Sequence, residues 1–323
     1  MLKLSRLCSA AVAMSVMATA AGAAGVDDGR GFPSKPMRII VGPGPDIVGR
    51  LVGQKLTEAW GQQVIVETRP GGGGNIAGEM VAKATPDGYT LLLASAAYTI
   101  NAALQPGSFD LVKDFAPVVF CATAPFVLAV HPSVAARTVQ ELVALAKAKP
   151  GVLIYASSGN GTPPHLAGEL FKSMAGVNIL HVPYKNAAPA LIDTVAGQVQ
   201  MMFVITSVGL PQVQNGKLRG LGVSSAQRTP LAPTLPTIAE SGLPGFDAIT
   251  WFGLFAPAAT SHDIVMKLYT DSAAALSGAD IKDRMAIQGL FVVASNPEAF
   301  AKFIKIEVAR WSKVVKDAKI KPQ

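Results

Sequence analysis

Short apolar runs and stretches of helical periodicity take turns along almost the whole chain, joined by brief connections. That order leaves few architectures open: alternating strand and helix with short links argues for an α/β fold built on doubly wound parallel sheets. Met37–Val41 is a short apolar run, Gly42-Pro43-Gly44-Pro45 follows, and Ile47, Val48, Leu51, Val52 and Leu56 then repeat at helical spacing. Residues 64–67 read as a second strand, the glycines after Pro70 lead into a helix over 79–84, and Pro86-Asp87-Gly88 turns into a third strand at 90–94. A second set begins near His131: helix 138–149, strand 153–157, helix 164–174, strand 179–183, helix 187–196 and strand 201–205. A strand at 218–224, a Pro-rich surface path at 229–245, a buried strand at 251–256 and helices at 261–277, 280–288 and 297–317 complete the chain. Two α/β lobes are expected, joined by strands and not by a tether.

Of the 323 residues 50% are hydrophobic and 15% charged, which supplies a sizeable core and rules out a disordered or coiled-coil chain. The formal charge of +7 is scattered, without a basic block or a basic-aromatic repeat, so nucleic acid is not an expected partner. Lys3 and Arg6 precede an Ala-rich apolar run and then Ala21-Gly22-Ala23, the order of a secretory signal. Residues 1–23 are expected to be removed, with cleavage after Ala20 as the alternative, leaving an exported, soluble protein. Cys8 leaves with them, and Cys121 then stands alone, which excludes an intrachain disulfide or a paired-cysteine metal site. Val118, Val119 and Phe120 beside it point to a buried strand thiol and not a nucleophile.

Catalytic chemistry finds little support. His131, His165, His181 and His262 show no metal-ligand spacing, and none sits beside an acidic pair. Gly222-Val223-Ser224-Ser225-Ala226 approaches a nucleophile elbow but lacks the final glycine. Gly72-Gly73-Gly74-Asn75-Ile76-Ala77 loosely matches a dinucleotide loop, yet the acidic residue required about 20 positions later is absent. No cofactor is expected. The loops that feed helix N-termini are more telling. Thr162 is placed to cap a helix with Pro163 at its first position, and Ser157-Ser158-Gly159-Asn160-Gly161 ahead of it offers hydroxyls, an amide and backbone donors at the helix's positive end. A carboxylate seated there gains about 0.3–2 kcal/mol from the dipole. Ordinary capping accounts for the same residues, as it does for Asp46 ahead of Ile47.

Several marks together have a precedent. Phe32-Pro33-Ser34-Lys35-Pro36, Arg69-Pro70-Gly71-Gly72-Gly73-Gly74-Asn75, Pro86-Asp87-Gly88-Tyr89-Thr90 and Lys113-Asp114-Phe115-Ala116-Pro117 occur in that order. They are followed by Tyr155-Ala156-Ser157-Ser158-Gly159-Asn160-Gly161-Thr162-Pro163, His165-Leu166-Ala167-Gly168-Glu169, His181-Val182-Pro183-Tyr184-Lys185 and Trp251-Phe252-Gly253-Leu254. The chain thereby resembles, from about Phe32 to Pro322, the Bug family of bacterial periplasmic solute receptors, the binding components of tripartite tricarboxylate transporters. The resemblance implies a two-lobed periplasmic-binding-protein clamshell with crossover strands near 127–131 and 251–257. Its lobes would be 32–129 with 251–323, and 130–250, with a small organic acid held between them. The ligand loops map to Gly44, Pro45 and Asp46, to Ser95 and Ala96, and to Ser157, Asn160, Thr162, Pro163 and His165, with Tyr184 and Val204 closing the pocket. Three departures stand out: a shortened first loop at 42–46, Val204 where many relatives carry an acidic residue, and Asn186 where glycine commonly follows Tyr-Lys. Val204 leaves an amine without a partner, so simple carboxylates or aromatic acids are expected over amino acids. The expected function is a monomeric receptor delivering an organic acid to the membrane subunits of such a transporter. The alternatives are a receptor for a sensor kinase and an exported hydrolase using Ser224 or Ser157.

Overall fold

The computed structural model describes residues 31–42, 46–69, 71, 74–104, 107, 109–318 and 320; the expected signal segment, Gly44 and Pro45 lie outside them. β1 (Met37–Val41) lies between β2 (Val64–Thr68) and β3 (Thr90–Ser95), all parallel, with Arg38 opposite both Ile65 and Thr90. Each is followed by a helix: α1 (Ile47–Trp60), α2 (Asn75–Ala82) and α3 (Ala96–Leu104). Further along, β5 (Ile154–Ser157) lies between β6 (Leu180–Pro183) and β7 (Met201–Ile205), again parallel. These lead into α5 (Pro163–Ala175), α6 (Ala187–Val195) and α7 (Thr206–Gln214), while α4 (Val139–Ala148) precedes β5.

The centre departs from the expected parallel sheet. β4 (Phe115–Val130) pairs antiparallel with β9 (Ile249–Pro257) from Phe115 to Pro125, and with β7 from Phe126 onward. β3 also meets β9 antiparallel, so one path runs β2-β1-β3-β9-β4-β7-β5-β6. β8 (Arg219–Val223) and β10 (Phe291–Ser295) pair with β4 as well, both antiparallel. Local alternation specifies the parallel units within each half; the antiparallel join is made by segments far apart in the chain. Its first crossing falls at Phe126, a residue ahead of the expected stretch. The second precedes β9: Ala248 N still donates to Ser224 O in the second half, while Ile249 already pairs with Pro125. Pro117 is accommodated because the β4–β9 register shifts beside it, the setting in which a sheet tolerates a residue without an N–H.

Strand alternation sorts side chains onto two faces in each half. Met37, Ile39 and Val41 pack with α1, α8 (His262–Ser277) and α9 (Ala279–Ile287), whereas Ile40 packs on the other face with Tyr98, Phe120, Trp251 and Phe300. On β7, Met201 and Phe203 lie with α4 and α5, and Met202 and Val204 with α6 and α7. α10 (Pro297–Asp317) serves both halves: Phe300 and Ile304 belong to the first core, Trp311, Val314 and Val315 to the second. The chain after 251 is therefore shared between the halves and not confined to the first, because a 21-residue helix, about 32 Å long, runs past the junction. Cys121 is the expected buried thiol, its pKa pushed up to about 12 by burial.

Candidate ligand-binding site

At the carboxyl edge of the first half, α1, α2 and α3 begin where β1, β2 and β3 end, and helix starts carry free amides and a positive dipole end. Asp46 occupies the N-cap of α1, yet its side chain caps nothing. Its Oδ2 accepts from Arg50 Nε at 2.8 Å and Nη2 at 2.6 Å, and this bond chiefly lowers its pKa. The capping expected of Asp46 is thus replaced by an i,i+4 ion pair, which offsets a charge that would repel a carboxylate. Ser95 and Ala96, both buried, form the β3–α3 junction. Asn101 Nδ2 donates to Asn75 Oδ1 at 2.9 Å and ties α3 to the first residue of α2.

In the second half, the 157–162 loop is braced by its own groups. Ser157 Oγ accepts from Gly159 N at 3.2 Å and lies 2.7 Å from His181 Nε2. Gly161 N donates to His165 Nδ1 at 2.9 Å. Thr162 stands at the N-cap of α5, but its hydroxyl donates to Gly159 O at 2.7 Å instead of accepting from the helix, which corrects the expected cap. Pro163 takes the first helical position as expected, and with Pro164 it removes two donors from the helix start. Asn160 is exposed.

Beneath this loop the rings of His165 and His181 stack with centroids 4.0 Å apart, and Tyr155 stacks on His181 at 4.6 Å. Tyr155 OH donates to Glu169 Oε1 at 2.6 Å, and Lys172 Nζ reaches the same oxygen at 2.7 Å. Burial holds both imidazoles neutral, lowering His165 to about 4 and His181 to about 3. Neutrality matters mechanically: only an unprotonated Nδ1 on His165 accepts from Gly161. The Ser157–His181 distance suits a nucleophile and base, as the hydrolase alternative requires, but a ring with pKa about 3 is a weak base at neutral pH.

Tyr184 OH donates to Asp193 Oδ2 at 2.7 Å, and desolvation together with that bond pushes the phenol up to about 12. Its backbone N–H binds Ser157 O at 3.0 Å, so β6 holds the loop from one side. Val204 packs among Ala156, Leu210 and Val223, which makes it part of the second core; the pocket position expected of it has no support in this packing. Asn186 caps α6 by accepting from Ala188 N at 3.1 Å, which accounts for asparagine there. The halves meet where a Cβ on Gly161 would lie 2.7 Å from Leu104 at the end of α3, and one on Gly289 would lie 2.9 Å from Ser207 at the start of α7.

Known proteins share this sequence pattern and fold. The sequence pattern of the tripartite tricarboxylate transporter family receptor matches residues 48–320. This chain belongs to that family. Protein BugT of Bordetella pertussis is 33% identical over 299 residues, covering 90% of this chain and 92% of BugT. The structure of R. palustris Rpa4515 with adipate is similar at a TM-score of 0.78 and 34% identity, covering 90% of this chain and 100% of that one. MatC from Rhodopseudomonas palustris with bound malate gives 0.74 at 30% identity, over 88% of this chain and 100% of MatC. The resemblance to Bug receptors and the α/β periplasmic-binding-protein fold are both borne out. Two buried features escaped the sequence reading: Tyr98 in the first core and the Tyr155–His181–His165 stack. The spacing of His165, Glu169 and Lys172 at i, i+4 and i+7 was a signal for the second, but its completion needs the register that sets Tyr155 opposite His181.

Proposed function

We propose that the chain is an extracytoplasmic receptor that closes two lobes on a small organic carboxylate and delivers it to the membrane subunits of a tripartite tricarboxylate-type transporter. The observation that carries this reading is the juxtaposition of α3 with the braced 157–162 loop: Gly161 abuts Leu104, so the loop ahead of α5 faces the helix that begins at the carboxyl end of β3. In this reading Asp46, Ser95 and Ala96 line the first lobe, and Ser157, Asn160, Thr162, Pro163, His165 and Tyr184 the second, with the two lobes hinged at Phe126 and Ala248. The adipate and malate held by relatives point to dicarboxylates. The protein works in the periplasm as a monomer, without a cofactor and without turnover. Ser224, the other serine of the hydrolase alternative, is bound on every side as described below, and a receptor serving a sensor kinase would use the same site. Calorimetry with adipate and malate tests the reading. Saturable binding of either at micromolar or tighter affinity, with the acid recovered unchanged, is expected; binding of neither, or its conversion, overturns it. Uptake of the labelled acid by vesicles carrying the transporter subunits, dependent on added receptor, separates transport from sensing.

A further inference from the structure

Tyr98, the third residue of α3, is 2% exposed, and its hydroxyl has no hydrogen-bond partner among the described residues. A buried donor left unpaired is costly, and native proteins rarely keep one without a use. Thr206, Thr260, Ser272 and Trp251 also bury unpaired polar atoms, but Tyr98 is set apart by what surrounds its tip. A Cβ on Gly42 would lie 2.1 Å from the hydroxyl oxygen, and one on Gly74 2.8 Å from the ring carbon that bears it. Gly42 directly follows β1, and Gly74 is the N-cap of α2. The phenol therefore stands between bare backbone just past β1 and at the start of α2, on a helix that itself starts at the carboxyl end of β3, where ligands of parallel α/β sheets bind. Its ring is anchored in the first core with Phe109 and Phe115 nearby, and Asn101 one turn on binds Asn75 in α2, so the hydroxyl is positioned by packing on both sides.

We propose that the Tyr98 hydroxyl is a ligand-reading group of the first lobe, donating a hydrogen bond to a carboxylate oxygen that enters between Gly42 and Gly74. The assignment rests on the carboxylate reading above. Burial raises the phenol's pKa, so it stays a protonated donor throughout the neutral range. The hydroxyl is covered in the unliganded chain, and the ligand reaches it by displacing backbone that carries no side chain on either side. The two glycines share a purpose: a Cβ at 42 or 74 would collide with the phenol, so only bare backbone lets its tip sit between them.

Tyr98→Phe tests the assignment because it keeps the ring and removes only the oxygen. Calorimetry with adipate and malate on both proteins, alongside melting without ligand, provides two readouts. The expected result is an affinity ~10- to 100-fold lower for the acid that the wild type binds, the range of one hydrogen bond to a charged group, with an unliganded Tm equal to or above that of wild type. Unchanged affinity in Tyr98→Phe overturns the assignment alone. A lowered unliganded Tm overturns it too, because the hydroxyl would then be a structural bond. Binding of neither acid by the wild type overturns the carboxylate reading, and this assignment with it.

Discussion

Ser224 makes four hydrogen bonds to the two crossing segments: its N donates to Phe126 O at 2.9 Å, its Oγ accepts from Phe126 N at 2.8 Å and donates to Ala248 O at 2.5 Å, and its O accepts from Ala248 N at 2.9 Å. The residue is fully buried, so Ser224→Ala leaves an amide and a carbonyl without these partners. At about 1–3 kcal/mol for each stranded group, the expected loss is about 2–4 kcal/mol in urea unfolding, with ligand affinity changed only as far as the hinge is loosened. A destabilisation below about 0.5 kcal/mol would show that the hydroxyl is not a staple, since surface-like substitutions fall in that range. Thr162→Val poses a smaller question. Its hydroxyl serves Gly159 O within the loop, and a neutral hydrogen bond is worth about 0.5–1.5 kcal/mol, so affinity for adipate or malate should fall by roughly 2- to 12-fold. A fall of about 100-fold would mean that the hydroxyl turns to the ligand instead.

At the scale of elements, the 157–165 segment rests on two imidazoles held neutral by burial, with the nearby Lys172 ammonium adding to the effect. Depressed values of about 4 and about 3 against an ordinary 6.5 mean that the unfolded chain binds more protons below pH 6.5. Stability contributed by these rings is therefore complete above about pH 6.5 and is lost as pH falls toward their folded values; His165 alone accounts for about 3 kcal/mol over that window. Burial raises the pKa of Asp247 and Glu307, which acts in the opposite sense, so the ring contribution is isolated by comparison with His165→Asn. Asn keeps an acceptor for Gly161 and cannot titrate. The wild-type Tm should drop more steeply than the variant's between pH 6.5 and 4.5, and parallel curves would sink the idea. The same segment shows what a sequence conveys. Proline at the first helical turn and the loop hydroxyls were legible because they act on their own neighbours. The hydroxyls' true partners were not, since Gly159 O competes with the helix start for Thr162 and only the folded loop decides between them. Among the elements, α7 was missed because Pro211 lies inside it. α3 was missed because Ala96, Tyr98, Thr99 and Ile100 are all buried and give no amphipathic stripe. β10 is half-buried and joined to β4 through a shifted register, so it lacked both an apolar run and regular alternation. Val204 reads equally well as a pocket wall or as core, and the period-2 pattern of β7 shared with Met202 placed it in the core.

For the whole molecule, α10 divides its buried face between the first core and the second, as the shorter α3 does with Tyr98 and Ile100, and its two ends have different work. Phe300 and Ile304 sit on the first core, the Phe300 ring stacked on Phe120 and tilted against Phe255, while Trp311 is buried in the second and donates from Nε1 to Glu307 Oε2 at 2.8 Å. At the seam, Arg310 Nη1 donates to Asp247 O at 2.9 Å, just ahead of the second crossing, and lies 3.1 Å from Glu307 Oε1. The helix thus straps both cores across the same place where β4 and the 247–249 segment pass between them. A receptor that opens and closes needs halves that move as units yet unfold together, and this strap supplies the second requirement without adding a covalent tether. Trp311→Ala removes a large buried side chain from one end only, with a cost of about 3–5 kcal/mol. It also strips Glu307 of its ring N–H and leaves Arg310 as that buried carboxylate's remaining close partner. The variant should therefore unfold in two steps, with hydrogen exchange rising first over 130–250 while 37–125 stays protected. Adding adipate or malate should draw the two steps together again, because a ligand gripped by both lobes stabilises the closed pair by mass action. A single transition in the variant, with protection lost equally in both halves, would show that the crossing strands alone couple the lobes and that α10 merely packs against them.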